Sequence, residues 1–203
     1  YKPDILWFMT DPRFYVWLWE IENEIRKNVP MVYYHVWDNY PYPDFNKKYY
    51  DSNDTVCTIS KVTDDIVRTL SPEVNCVRIP HTVDTNIFMN TGRTEEINNF
   101  RKTILGPNHE DKLLFFWNNR NARRKQSGTL MFWFKEFLDN YAPGKAALLM
   151  HTDPYDHNGQ NLQKIIKKIN TKEKEILFST AKLTPSDLAA IYNACDCTIN
   201  ISD

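Results

Sequence analysis

Eight short apolar runs, alternating with longer amphipathic stretches, constrain this chain more than any other feature. The runs cover residues 5–9, 31–35, 55–59, 76–79, 112–117, 146–151, 176–178 and 197–201, and each is bounded by Pro, Asn, Asp or charged residues. The alternation of these runs with helical stretches predicts an α/β fold with parallel strands. Helices are expected over residues 14–26, 60–70, 129–141, 161–169 and 185–194. Ser60 and Thr184 are placed to cap two of them, with Pro185 at a first helical position. Leu162, Ile165, Ile166 and Ile169 recur at helical spacing.

Between Asp84 and Asp111 the composition shifts to Asn, Thr, Glu and Gly. A domain boundary near residue 90 is therefore expected. Residues 1–90 would form one α/β domain, 91–110 a linker with a short helix near 95–104, and 111–203 a second α/β domain. Tyr1-Lys2-Pro3-Asp4 leads straight into an apolar run, and the chain stops soon after another. Strands at the very ends of a chain leave pairing incomplete, so both domains read as partial, within a longer protein.

Hydrophobic residues make up 42% of the 203 and charged residues 25%, enough for packed cores. Lys and Arg total 25 against 26 Asp and Glu, so no global field draws the chain to nucleic acid or anionic lipid. No apolar run approaches the roughly 20 residues of a membrane span, and no leader pattern opens the chain. Cys57, Cys76, Cys195 and Cys197 lack CxxC spacing and sit in apolar stretches. They read as reduced core thiols rather than zinc ligands, which favours a cytoplasmic setting.

The segment richest in chemistry is Phe115-Phe-Trp-Asn-Asn-Arg-Asn-Ala-Arg-Arg-Lys-Gln-Ser-Gly128. An apolar strand empties into a loop carrying Arg120, Arg123, Arg124 and Lys125, and a helix follows. Open α/β sheets bind ligands beyond the carboxyl ends of their strands. Helix amino termini favour phosphate, and guanidinium groups grip its oxygens in pairs. A plain solvated basic loop is the alternative reading.

An Arg just past a strand, with a Lys a few residues on, resembles the diphosphate clamp of the retaining glycosyltransferases of family four. That family has two Rossmann-like domains in the GT-B arrangement. The family pattern is Gly-Arg, a variable loop, then Lys-Gly; here Asn119-Arg120 and Lys125-Gln126 keep both cations and replace both glycines. Pro30-Met-Val-Tyr-Tyr-His35 is similar to the strand that brings a His to the donor sugar. Val56-Cys-Thr-Ile-Ser60 resembles the next strand–helix unit. Val77-Arg-Ile-Pro-His-Thr-Val-Asp-Thr-Asn-Ile-Phe88 resembles the interdomain segment, departing at His81 and Thr82. Leu188, Ile191, Tyr192, Ala194, Asp196 and Ser202 occupy the places of the family's Leu, Tyr-x-x-Ala-Asp, strand, Ser tract.

The resemblance implies that Arg120 and Lys125 hold the diphosphate of a nucleotide-sugar donor. It makes His35 a catalytic contact to the donor sugar, and places Lys182, Leu183 and Ser202 along the donor loop. The family's Glu-x₇-Glu segment would begin just beyond Ser202, so the 203 residues by themselves are expected to be inactive. No metal or other cofactor is implied. Asp11, Arg13 and Asp38 are candidates for the acceptor side, where the acceptor is a glycan, lipid or protein. The aromatic loop 37–50 is read first as packing. His151 to His157, with Asp153 and Asp156, is read as polar turn chemistry rather than a metal site. Two other readings stand beside the transferase: a sugar-nucleotide epimerase of the same architecture, and a non-catalytic remnant that binds a nucleotide or a partner. Peripheral attachment of the complete protein to a membrane is compatible with the fold.

Overall fold

The computed structural model describes residues 2–37 and 39–202. It divides into two compact units, Tyr1–Val83 and Asp84–Asp203. Each is built on a four-stranded sheet whose strand pairs are all parallel.

In the first unit the strands are β1 (Leu6–Met9), β2 (Met31–His35), β3 (Thr55–Thr58) and β4 (Asn75–Arg78), in that order across the sheet. The register lines up Phe8, Tyr33, Val56 and Cys76 in one row. Side chains alternate along a strand, so one row means one face. Helices α1 (Val16–Glu20), α3 (Lys47–Asp51) and α4 (Lys61–Leu70) cover that face with Leu18, Trp19, Tyr50, Ile66 and Val67, and α2 (Glu22–Arg26) adds Ile25. Ser60 caps α4 by accepting from the Thr63 amide.

The helix expected over 14–26 is broken. A 3-10 turn at Pro12–Phe14 precedes α1, and Ile21 leaves the helical region at φ −110°, ψ 15° to separate α1 from α2. Its amide turns back to the carbonyls of Leu18 and Trp19. Apolar spacing carries no trace of such a backbone break.

The second unit opens with α5 (Glu95–Leu105), then runs β5 (Leu113–Asn118), α6 (Ser127–Asn140), β6 (Ala146–His151), α7 (Leu162–Ile169), β7 (Ile176–Ser179), α8 (Pro185–Ala194) and β8 (Cys197–Thr198). The strand order is β7-β6-β5-β8. Trp117, Leu148, Met150 and Ile176 face α6 and α7, whereas Leu114, Phe116, Ala147 and Leu149 face α5 and α8. Both faces are therefore covered, which is why these strands read as continuous apolar runs.

The stretch expected to be a linker carries α5, which clusters with the second unit. Asp196, just before β8, holds it there: its carboxylate takes Arg93 Nη2 at 2.6 Å, Arg101 Nη2 at 2.9 Å and the Leu114 amide at 2.7 Å. Thr184 and Asp187 form a reciprocal capping box at the start of α8. All four cysteines are free thiols, but only Cys57 and Cys76 are buried. Cys197 is exposed, against the core reading, because β8 is two residues long and lies at the sheet edge.

Candidate functional site

Chain order and strand order in the second sheet part company at β5. From β5 the chain moves outward through β6 to β7, then returns by α8 to place β8 on the other side of β5. The carboxyl end of β5 is thus a topological switch point, where open α/β sheets leave a crevice for ligands. The basic loop 119–126 leaves from that end and leads into the amino terminus of α6. Arg123–Lys125 forms a 3-10 turn, and Gln126 adopts a left-handed conformation (φ 53°) to start the helix.

The loop is anchored by Asn121, which is fully buried. Its Nδ2 donates to the carbonyls of Gln160 (2.7 Å) and Asp153 (3.3 Å). Its Oδ1 accepts from Ser127 Oγ (2.6 Å) and from the Gln160 amide (3.3 Å). Gln160 in turn accepts from the Gly128 amide at 2.9 Å. A methyl group on Gly159 would lie 2.1 Å from the Asn121 carbonyl oxygen, so only glycine permits this approach. The loops that follow β5 and β6 are in effect one fitted body.

Arg120 stands on this body with its side chain 62% exposed. Its Nε donates to Asp156 Oδ2 at 2.6 Å and its Nη2 to Asp156 Oδ1 at 3.3 Å. That pairing holds the Asp156 carboxyl far below the ordinary carboxylate range, helped by the Asn158 amide, and raises Arg120. Arg123, Arg124 and Lys125 have no side-chain partner among the described residues. Three cations therefore remain unneutralised beside the α6 amino terminus, a setting that attracts an anion with several oxygens.

Along the same carboxyl edge, Asn118 Nδ2 at the end of β5 donates to Tyr192 Oη at 3.2 Å, and His151 Nδ1 at the end of β6 lies 2.9 Å from Ser179 Oγ at the end of β7. Leu183 packs into the core between α5 and α8, and Lys182 is exposed after β7. The Ser202 amide and hydroxyl both donate to Asn200 Oδ1, a turn that ends the strand run after β8. His151, Asp153, Asp156 and His157 do not converge, and no group of three or more His, Cys, Asp or Glu among the described residues is arranged to hold a metal. Two cavities, of about 450 Å³ and 330 Å³, lie at the amino-terminal edges of the two sheets and touch none of these residues.

His35, at the carboxyl end of β2 in the first unit, is only 1% exposed. Tyr33 Oη donates to the Thr10 carbonyl at 2.9 Å, and a carbonyl can only accept. With its proton committed, Tyr33 must accept from His35 Nδ1, 2.8 Å away. Nε2 is then the bare nitrogen and accepts from Tyr50 Oη at 2.8 Å. The ring is a neutral Nδ1–H tautomer with both nitrogens engaged, and burial lowers its pKa to about 4. As placed, His35 has no free nitrogen to offer a sugar, so the catalytic contact expected of it does not fit this arrangement. The aromatic loop supplies the reason: Tyr50, on α3, is fully buried over the ring.

Asp11 caps the 3-10 turn at Pro12–Phe14 through the Arg13 amide and pairs with Arg13 Nη2 at 2.7 Å. Asp38 lies outside the described residues. From the sequence Asp156 reads as turn chemistry only, and Asn121 and Gly159 carry no reading. The Asp-x-x-Gly spacing from Asp156 was the visible signal, but its partners lie more than thirty positions earlier.

Two parallel-stranded α/β units, the second with a switch point at β5, are Rossmann-like, the construction used by the GT-B class of folds. Solved structures of that class match the whole chain. Among them are the α,α-trehalose 6-phosphate synthase of Burkholderia multivorans (TM-score 0.70, 12% identity, 52% of that chain) and a trehalose-6-phosphate protein of E. coli bound with UDP-2-fluoro glucose (0.71, 12%, 53%). The N-terminal domain of Candida albicans trehalose-6-phosphate phosphatase matches similarly (0.70, 16%, 52%). At these identities the likeness speaks for the fold, and the chain spans about half the length of the structures it matches. No protein-family model and no curated protein matches the sequence. No helix among the described residues is long and apolar enough to cross a membrane.

Proposed function

We propose that this chain is part of a nucleotide-sugar-dependent glycosyltransferase in which the loop after β5 binds the diphosphate of the donor. One observation carries the reading: Arg120 and Lys125 stand in the loop that runs from the carboxyl end of β5, at the switch point, into the start of α6. Diphosphate oxygens would meet the guanidinium of Arg120, the ammonium of Lys125 and the positive end of the helix. When the sugar–phosphate bond breaks, negative charge grows on the leaving diphosphate, and fixed cations there lower the barrier. These cations would take the part that a metal plays elsewhere.

Retention at the anomeric carbon and membership of family four rest on the sequence resemblance. So does an acceptor that is a glycan, lipid or protein. Lys182, Leu183 and Ser202 would lie along the donor loop by the same resemblance, with Asp11, Arg13 and Asp38 toward the acceptor. The neighbour bound with UDP-2-fluoro glucose supports a uridine-linked donor as the first to try. Calorimetric titration of the chain with UDP-glucose, repeated on Arg120→Ala, tests the clamp. Loss of one charged hydrogen-bonding partner is expected to weaken binding by about 10- to 100-fold. Equal affinity of the two proteins would dismiss it.

A further inference from the structure

We propose that Asp156 is a positioning residue for the diphosphate site, holding Arg120 by one edge so that its other edge faces the ligand. The inference rests on the reading of Arg120 as a diphosphate ligand and adds a residue from a different loop. A guanidinium group has two edges that can form paired hydrogen bonds. Asp156 occupies the Nε–Nη2 edge at 2.6 and 3.3 Å. Nη1 makes no hydrogen bond among the described residues, so the Nη1–Nη2 edge stays open to solvent.

Asp156 is itself the fixed partner of the pair. Its side chain is 11% exposed against 62% for Arg120. Its Oδ1 accepts from the Asn158 amide at 2.9 Å and from Asn158 Nδ2 at 3.1 Å. Its own carbonyl accepts from the Gly159 amide at 3.0 Å. Gly159 is in turn wedged against Asn121, one residue from Arg120. An exposed arginine left alone samples many rotamers, and ordering it on binding costs affinity. Asp156 removes that disorder before the ligand arrives.

The sign of the effect separates this role from a simple one. Removing a carboxylate beside an anion site strengthens binding if only charge matters. Removing a positioning carboxylate weakens it.

The test uses the 203-residue chain and inorganic pyrophosphate at low salt, with affinities from calorimetry and the Arg120 Nε–Hε signal from NMR. Asp156→Asn sets an N–H₂ group against one guanidinium N–H and breaks the paired contact. The variant is expected to lose the protected Nε–Hε signal and about tenfold in pyrophosphate affinity, the scale of ordering one flexible side chain on binding. Asn158→Ala, which loosens Asp156 without touching Arg120, is expected to move both readouts the same way by less. Unchanged or tighter binding in Asp156→Asn, with Arg120→Ala still weakened, overturns the positioning role and leaves the clamp. If Asp156→Asn does not fold, unchanged binding and an unchanged Arg120 signal in Asn158→Ala overturn it instead. Unchanged binding in Arg120→Ala removes the clamp and the proposal together.

Discussion

Acidification from pH 7 to pH 4 titrates the unfolded first unit at His35 before it titrates the folded one. The imidazole is enclosed by Tyr33 and Tyr50, and a second proton on Nε2 would have to displace the hydroxyl proton that Tyr50 directs at it. Burial, the larger influence, lowers the folded pKa to about 4, with Asp11 pulling weakly the other way. An unfolded histidine titrates near 6.5. Between these values the unfolded chain binds more protons than the folded one, so stability is complete above about pH 6.5 and falls as the pH drops toward 4. A displacement of roughly 2.5 pH units at 1.36 kcal/mol each amounts to about 3 kcal/mol.

Urea unfolding of the wild type and of His35→Gln between pH 4 and pH 7 measures it, since the variant cancels every other titrating group. The wild-type advantage is expected to shrink by about 3 kcal/mol across that window, while the variant's curve lacks this component. Parallel curves, or a His35 ring that titrates near 6.5 by NMR, would refute both the burial argument and the tautomer assigned from Thr10.

Two further outcomes follow from single contacts. Gly159→Ala places a methyl 2.1 Å from a backbone oxygen and 2.4 Å from Asn121 Oδ1, so thermal unfolding should show a loss of about 1–3 kcal/mol, the usual cost of overpacking. Asp196→Ala strips Arg93, Arg101 and the Leu114 amide of one shared acceptor, and a loss of about 3 kcal/mol is expected in chemical denaturation of the second unit, with faster amide exchange along α5.

The sequence showed the strands well where burial is two-sided. Residues 31–35 and 146–151 coincide with β2 and β6, because consecutive apolar residues buried on both faces stand out from the polar segments that flank them. The run at 197–201 shortens to Cys197–Thr198 because Asn200 turns the chain with its own side chain. Helix starts with a capping residue, Ser60 and Thr184, were equally legible, since the signal lies within four residues. The break at Ile21 was not, as it is written in backbone angles. At the site, Arg120 and Lys125 could be singled out because basic side chains crowd between a strand and a helix. Asp156 and Asn121 could not, because their meaning comes from loops brought together only by the packing of β5 beside β6. His35 is the reverse case: its place at a strand end suggests chemistry, and the sequence carries no sign that Tyr33 and Tyr50 engage its two ring nitrogens.

The carboxylate of Asp196 reaches back across 103 positions to Arg93, which bears on how the second unit forms during synthesis. At about 5–20 residues per second, a ribosome needs on the order of 5–20 s to cover that distance. Through that interval α5 exists without its anchor, and the Leu114 and Phe116 side of β5 waits for α8. The basic loop meanwhile can already be fitted to β6, whose own loop is made well before. The end of this unit that carries the basic loop is therefore assembled from early contacts, and the last segment to arrive, α8 with β8, closes the opposite flank of the central strand.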